Sequence, residues 1–543
     1  MSIVTIGIAQ INSCVGDLVG NAKKIESSVH DAYKKGANIV ITPELALIGY
    51  PPEDLLLQKS FLMKQKRQLD MLQSSFSSLQ GLHVIIGHTY LNQTNKLLYN
   101  AASIFLEGKS LGVYCKRNLP NYSVFDEKRY FNKGIQPLIF KVKNITFSIA
   151  ICEDIWFDQT IYKAETDVML VLNASPYNIL KEKRRYEIVE KIVKNKNCTV
   201  AYVNMVGGQD ELVFDGNSFV MNNLGKYIAM PSFCEATYLI NIGKSGVIYP
   251  SIHNSNFIQP PDTVESKIWK ALKLSLQDYL KKNSFSNVMI GLSGGIDSAL
   301  VLAIAHAALG SDKIKTIMMP SPYTSDISKI DAFCMSKHLG VHHIEISIET
   351  MIKHFETMIF PFVKKNSNEK NITKENIQSR IRGLILMTLS NDTGNLVLAT
   401  GNKSEIATGY CTLYGDTIGG FATIKDLTKT LVYRLAKWSN RCFENIPSRI
   451  IKRLPSAELY HGQTDQDTLP SYDILDGIIE RYMGNNESAN QIISAGYPHD
   501  IVMRVLNLIH INEYKRRQYP IGPKITSCAF GKDWRFPITN RFK

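Results

Sequence analysis

Residues Ile290-Gly-Leu-Ser-Gly-Gly-Ile-Asp-Ser298 constrain the fold more than any other segment. An apolar run stops at a glycine-rich turn, and a helical pattern begins at once. That succession has its usual place at the carboxyl edge of a parallel α/β sheet, where ligands bind. Backbone N–H groups of Ser293, Gly294 and Gly295 can face an anion there, the helix dipole adds a favourable field, and Asp297 can hold Mg²⁺ beside it. A Walker loop reads G-x-x-x-x-G-K-[ST], and this turn carries no such lysine. A plain strand-helix turn capped by Asp297 or Ser298 is the bland alternative. The SGGxDS run after an apolar strand is much rarer than two-glycine turns at large, and it favours a nucleotide cradle.

A chain of 543 residues is too long for one core and predicts two to four domains. Apolar residues make up 44% and charged residues 20%, the balance of an ordinary globular enzyme. No apolar run approaches the ~18 residues that span a bilayer. The opening Met1 to Gln10 lacks a basic leader and reads as a buried strand. Nine scattered cysteines without a C-x-x-C pair point to a reducing compartment, hence the cytoplasm, and away from disulfide frameworks or zinc. The net charge of +13 favours polyanionic partners. Its two clusters, Lys181 to Arg185 and Lys515 to Arg517, lack interleaved aromatic platforms, so nucleic acid is a minor hypothesis and a membrane partner is not expected.

The first ~240 residues alternate β-branched runs with helical stretches. Strands are expected at Val4 to Ala9, Asn38 to Thr42, His83 to Gly87, Ala101 to Phe105, Thr146 to Ile151, Val168 to Asn173 and Thr199 to Asn204. Helices near Asn21 to Lys35 and Lys181 to Lys194 would cover them. Three prolines in Ile248 to Asp262 mark a boundary, which divides the chain into residues 1–245, a linker 246–262 and residues 263–543. Asp262 is expected to cap a helix with Ile268, Leu272, Leu276 and Leu280 on its buried face. A second α/β unit follows, with strands at Val288 to Gly291, Lys315 to Met319, His343 to Ile346 and Asn395 to Ala399. The turn, Pro320-Ser321 and Thr400-Gly401 all lie past strand ends and should share a crevice. Residues 362–376 read as a polar insertion.

Three polar residues also follow apolar strands in the first half: Glu44, Lys116 and Cys152. Singly they are unremarkable, since free cysteines are usually buried and acids or lysines usually solvated. Together they suit amide hydrolysis through a thioester, because a base can take the thiol proton and an ammonium can steady the oxyanion.

The segments Pro43-Glu-Leu-Ala-Leu-Ile-Gly-Tyr50, Lys116 to Phe131 and Ile151-Cys-Glu-Asp-Ile-Trp156 resemble the nitrilase (carbon-nitrogen hydrolase) superfamily. The resemblance implies an αββα layered domain with Glu44 as base, Lys116 as cation and Cys152 as nucleophile. Glu127 matches a supporting glutamate, and Tyr122, Ser175 and Lys181 fall where the glutamine-hydrolysing branch holds its substrate.

The second half is similar to the ATP-pyrophosphatase group, through SGGIDS, Met319 to Ser325, Glu375 to Gly383, Thr400 to Asp416 and Pro455 to Asp467. Both halves in this order resemble the long, glutamine-dependent NAD synthetases. That resemblance implies a Rossmann-like parallel-sheet domain of the adenine nucleotide alpha hydrolase type. ATP would lie on Gly291, Leu292, Ser293, Gly294, Gly295, Ile296, Asp297, Ser298 and Thr400. Deamido-NAD⁺ would meet Asn376, Glu405 and Lys515, while Asp297 and Glu405 would hold Mg²⁺. The implied reaction amidates deamido-NAD⁺ with ammonia from L-glutamine, and the implied assembly is a homo-oligomer. Short, ammonia-using relatives carry a lysine where this chain has Leu413, which leaves a missing cation to be found. The rivals are another glutamine amidotransferase of the same nucleotide group and a non-catalytic dinucleotide-binding protein.

Overall fold

The computed structural model describes residues 3–156, 166–244, 246–250, 262–362 and 372–542. The chain separates into two compact units, Met1–Pro261 and Asp262–Lys543.

In the first unit, strands β1 (Ile3–Gln10), β2 (Ile39–Ile41), β3 (His83–Leu91), β4 (Leu98–Leu106) and β5 (Lys109–Cys115) build most of one sheet. Strands β6 (Ile139–Val142), β7 (Ile145–Ile151), β8 (Val168–Asn173) and β9 (Thr199–Asn204) begin a second. A hairpin of β10 (Val206–Gln209) and β11 (Leu212–Asp215) follows. Next come β12 (Phe219–Met221), β13 (Tyr227–Ala229), β14 (Ala236–Gly243) and β15 (Ile248–Pro250). The sheets run β15-β14-β1-β2-β3-β4-β5 and β13-β12-β9-β8-β7-β6.

One strand face explains the layering. Ile6 and Ile8 of β1 share a core with Ile149 and Ile151 of β7 and Leu170 and Leu172 of β8, so the two sheets pack face to face. The opposite face meets helices, as period-two alternation requires. Helices α1 (Leu18–Lys34) and α2 (Lys59–Ser75) place Ile25, Val29, Leu72 and Phe76 against Val40, Val84 and Ile86. On the other sheet α3 (Lys181–Lys196) covers Met169, Val171 and Val200 with Val189, Ile192 and Val193. The result is the αββα order expected from the resemblance.

Part of the expected linker is sheet. Residues 248–250 form β15 and pair antiparallel with β14, Ile242 opposite Ile248 and Ile240 opposite Pro250. Three residues are too few to show a period, and proline is tolerated because β15 is an edge strand.

The second unit opens with α4 (Val264–Lys282), whose Ile268, Leu272, Leu276 and Leu280 are buried as expected. Its cap differs from the expected one. Thr263 accepts from Ser266 N, while Asp262 forms an ion pair with Lys270 at 2.6 Å, because the chain reaches extended cap geometry one residue later. Strand β16 (Val288–Gly291) leads through the glycine turn into α5 (Ile296–Leu309). Then follow β17 (Ile314–Met318), α6 (Asp326–His338), β18 (His342–Glu345), α7 (Glu349–Ile359), α8 (Ile372–Thr393), β19 (Leu396–Ala399), α9 (Lys403–Thr408), β20 (Phe421–Ala422) and α10 (Lys429–Phe443). All pairings in the sheet β18-β17-β16-β19-β20 are parallel. Chain order reverses beside β16, which places the glycine turn at the topological switch point.

The polar stretch 362–376 divides. Residues 372–376 start α8, a helix whose buried Ile377, Ile381 and Leu386 anchor it, and residues 363–371 lie outside the described residues. Among the described residues no helix is long and apolar enough to cross a membrane.

Candidate functional site

The first unit gathers Glu44, Lys116, Glu127 and Cys152 at the ends of β2, β5 and β7, all at most 4% exposed. Lys116 Nζ donates to Glu44 Oε1 at 2.6 Å and to Glu127 Oε1 at 2.8 Å. Burial opposes the Lys116 charge, but Glu127 and Glu44 outweigh it and hold the ammonium well above its ordinary value. Glu44 Oε1 also accepts from Asn100 Nδ2 at 2.7 Å, and its other oxygen, Oε2, from the backbone N–H of Ala174 at 3.0 Å. Tyr50 OH donates to Glu127 at 2.9 Å. Burial pushes the Glu127 carboxyl up to about 7, against the pull of Lys116 and with Glu44 adding to the rise.

Cys152 begins a single 3₁₀ turn at the end of β7 with φ +45°, a left-handed conformation that a side chain adopts at a cost. Asp154 locks this bend. Its carboxylate accepts from Ile151 N at 2.9 Å, Asn118 N at 2.7 Å and Tyr114 OH at 2.7 Å. Burial pushes the Cys152 thiol well above its ordinary value, Glu44 adds to that, and Lys116 opposes it. Cys152 therefore rests as a thiol, close enough to Glu44 and Lys116 to feel both charges. Gly87 lets the Glu44 turn close, since a Cβ there would meet Pro43 O at 2.2 Å.

The three expected glutamine contacts lie in different surroundings. Tyr122 OH donates to Glu153 Oε1 at 2.5 Å. Lys181 Nζ lies 4.2 Å from the centre of the Trp156 ring, and burial, with the Arg185 charge, lowers its ammonium to about 8. Ser175 is buried, and its hydroxyl accepts from Arg185 Nε at 3.2 Å. Arg185 also pairs with Asp215 at 2.8 Å, with both side chains buried. Within the Lys181 to Arg185 cluster Arg185 is thus an internal brace, while Lys183 and Arg184 remain exposed. Asn100, Glu153, Asp154 and the Arg185–Asp215 pair escape sequence reading, because their partners lie 10 to 56 residues away in the chain.

In the second unit a cavity of ≈ 500 Å³ is lined by Gly291, Leu292, Ser293, Asn376, Thr400 and Lys515, among others. Gly294, Gly295 and Ile296 line a smaller, adjoining hollow of ≈ 50 Å³ that shares Ser293 and Glu458 with it. Gly294 has φ +80°, and a Cβ there would sit 2.4 Å from Ser328 O, so both conformation and close approach demand glycine. Gly295 is the helix cap, and Ser298 Oγ donates to its carbonyl at 3.1 Å. The cap alternatives for Asp297 and Ser298 therefore give way.

Asp297 and Glu405 are absent from both linings, yet they converge. Lys429 Nζ donates to Asp297 Oδ2 at 2.5 Å and to Glu405 Oε1 at 3.3 Å. Asn402 orients both, donating from Nδ2 to Asp297 Oδ1 at 3.0 Å and forming a reciprocal capping box with Glu405. Burial pushes the Glu405 carboxyl up to about 8, against the pull of Lys429, with Asp297 adding to the rise. Lys429 was missed in the sequence, where one lysine in Ile424-Lys-Asp-Leu-Thr-Lys429 carries no signal. Two carboxylates aimed at one point suit Mg²⁺, which keeps waters and takes substrate phosphates for its other positions.

Asn376 accepts from Thr412 Oγ1 at 2.8 Å, and Lys515 Nζ donates to the carbonyls of Gly409 and Cys411 at 2.8 and 2.9 Å. Of the basic run Lys515 to Arg517, Arg516 is buried, Lys515 partly so, and Arg517 is exposed. Arg516 and Arg517 both pair with the buried Glu513, at 2.9 and 2.8 Å.

Two family models match the chain, carbon-nitrogen hydrolase over residues 5–245 and NAD synthase over residues 268–519. It is 43% identical to the glutamine-dependent NAD(+) synthetase of Acinetobacter baylyi, over 99% of this chain and 98% of that one. It is 42% identical to the Aquifex aeolicus protein of the same name, over 99% and 100%. A solved Acinetobacter baumannii glutamine-dependent NAD+ synthetase in complex with ADP superposes with a TM-score of 0.79, at 39% identity, covering 99% of this chain and 98% of that one.

Proposed function

Since the chain belongs to the glutamine-dependent NAD(+) synthetases, we propose that its two sites divide one amidation between them. The protein is an ATP-dependent ligase that converts deamido-NAD⁺ to NAD⁺ with nitrogen from L-glutamine, yielding AMP, pyrophosphate and L-glutamate. The observation that carries the division is the buried Lys116 held between Glu44 and Glu127 next to the strained Cys152.

In the first unit Glu44 accepts the Cys152 proton as Sγ attacks the glutamine carboxamide carbon. The oxygen takes up the electron pair and is stabilised by the third N–H of Lys116. Glu44 then returns the proton to the departing nitrogen, ammonia leaves, and a glutamyl thioester remains. Water, deprotonated by Glu44, clears it as glutamate. Lys181 suits the α-carboxylate of glutamine, Glu153 with Tyr122 suits its α-ammonium, and Ser175 shapes the wall between them.

In the second unit the turn from Gly291 to Ser298 and Thr400 receive ATP, and Asn376, Glu405 and Lys515 receive deamido-NAD⁺. The nicotinate carboxylate oxygen attacks the α-phosphorus, pyrophosphate leaves, and ammonia displaces AMP from the acyl adenylate. Backbone N–H groups of the turn steady the leaving pyrophosphate. Asp297 and Glu405 would hold Mg²⁺, which when bound offsets the phosphate charge. Cysteines outside any disulfide among the described residues support a cytoplasmic enzyme, and the expectation of a homo-oligomer without nucleic acid or membrane partners is kept as part of this reading.

The test is stoichiometric. Purified protein given ATP and deamido-NAD⁺ should release one AMP per NAD⁺ with either glutamine or ammonium, and one glutamate per NAD⁺ or more with glutamine. Pyrophosphate release with a different acceptor and none with deamido-NAD⁺ would overturn the reading.

A further inference from the structure

Leu413 carries no charge where short relatives carry a lysine, while the neighbouring cavity has a cation with unused donors on its wall. Only two cations line the ≈ 500 Å³ cavity among the described residues, Lys515 and Arg382. Lys515 spends two of its three donors on the Gly409 and Cys411 carbonyls. Arg382, on α8, donates through Nε to Met319 O at 3.0 Å, which fixes the guanidinium plane against the end of β17. Its two terminal nitrogens have no carboxylate at ion-pair distance among the described residues.

The acid whose charge reaches Arg382 is already engaged. Glu458 accepts from Ser325 Oγ at 2.8 Å, from Ser328 Oγ at 2.9 Å and from Arg453. Burial lowers the Arg382 guanidinium to about 10, with Glu458 opposing weakly, the behaviour of a cation lacking a close counter-ion. A partly desolvated arginine without an acid is costly, and a planar guanidinium fork on a cavity wall matches the phosphates that both nucleotide substrates carry.

We propose that the Arg382 guanidinium binds a phosphate of a nucleotide substrate in this crevice and supplies the positive charge that Leu413 does not. The proposal rests on the ligase reading above. Two substrates carry such phosphates, ATP and deamido-NAD⁺, and the experiment separates them.

Arg382→Met and Arg382→Lys are compared with the unaltered protein using ammonium as donor, with KM measured for ATP, deamido-NAD⁺ and ammonium, and kcat alongside. Thermal unfolding is recorded with and without ADP or deamido-NAD⁺. For R382M we expect kcat/KM to fall about 10- to 100-fold for one nucleotide, in line with losing a charge-assisted hydrogen bond, with the ammonium KM unchanged. R382K should recover part of that loss, and the stabilisation by the matching nucleotide should shrink in R382M. If ATP is the partner, its KM and the ADP stabilisation move; if deamido-NAD⁺ is, the other pair moves. Equal nucleotide parameters in R382M and the unaltered protein overturn the proposal. So does a uniform fall in kcat with a lowered unfolding temperature and no nucleotide-specific KM, which marks a brace for Met319 only. If the unaltered protein itself makes no NAD⁺, the ligase reading fails, and nucleotide-dependent stabilisation still decides the role of Arg382.

Discussion

Each half of the molecule contains a buried lysine pinned between two carboxylates, and the two arrangements differ in who does the work. In the first half Lys116, Glu44 and Glu127 have side chains 0%, 1% and 5% exposed. In the second, Lys429 is 2% exposed, while Asp297 and Glu405 are each 18% exposed. A sealed triad has no access to outside ions, so its ammonium stays fixed between its two acids, and the proposed reaction at Cys152 uses both that charge and Glu44 as base. A triad whose acids reach solvent can exchange partners. There the proposed role of the carboxylates is to hold Mg²⁺, with the lysine compensating their charge. Similar sets of residues thus serve different purposes because burial differs.

The largest effects should come from cutting one half and leaving the other. Cys152→Ala is expected to lower glutamine-supported NAD⁺ formation by roughly 10⁴-fold or more, since nothing else can form the thioester, with ammonium-supported synthesis retained. Asp297→Ala should stop AMP release with either donor yet leave glutamine hydrolysis running. Loss of both donors in Cys152→Ala would break the division of labour.

Stability should separate the triads next. Lys116→Met strands two buried carboxylates and should cost about 3–5 kcal/mol in denaturant unfolding. Lys429→Met should cost about half that or less, because water reaches Asp297 and Glu405. Equal costs would erase the contrast drawn from exposure.

The sealed triad should also respond to pH. Burial holds Glu127 at about 7, above its ordinary 4.5, so the folded state keeps its proton where the unfolded state has lost it. Its contribution to stability is therefore full below 4.5 and is lost as pH rises through about 7. Unfolding free energies from pH 4 to 8 should show this decline in the unaltered protein and a flatter course in Glu127→Gln.

Lys181 sharpens the comparison from the pocket's rim. Burial lowers it to about 8, so above that pH the empty pocket loses its positive charge and the glutamine KM should rise several-fold, while the ammonium-supported reaction at the other site has no matching step. The smallest effect belongs to Thr263→Ala, which removes the α4 cap and should cost about 1 kcal/mol without altering either activity.

Much of the fold was legible because its elements are buried on both faces. The observed β8 and β9 coincide with the apolar runs at Val168 to Asn173 and Thr199 to Asn204, as does β16 with Val288 to Gly291. Short elements were not: β12, β13 and β15 have three residues each, and no period shows in three. The cap of α4 was misplaced by one residue, since Asp262 and Thr263 are both capping types and only backbone geometry chooses between them.

The functional residues divide in the same way. Glu44, Lys116, Cys152 and the SGGIDS turn follow apolar strands, and their combination and the family resemblance singled them out. Asn100, Glu153, Arg185, Arg382 and Lys429 sit inside ordinary helices, strands or turns and acquire their roles from partners far along the chain. The sequence by itself determined most of the long buried strands and the strand-turn-helix at SGGIDS, because backbone periodicity and turn chemistry are local. Only the tertiary structure decided which lysine is sealed, which acids face solvent and which arginine lacks a counter-ion. Those are properties of distance and dielectric, and a linear pattern contains neither.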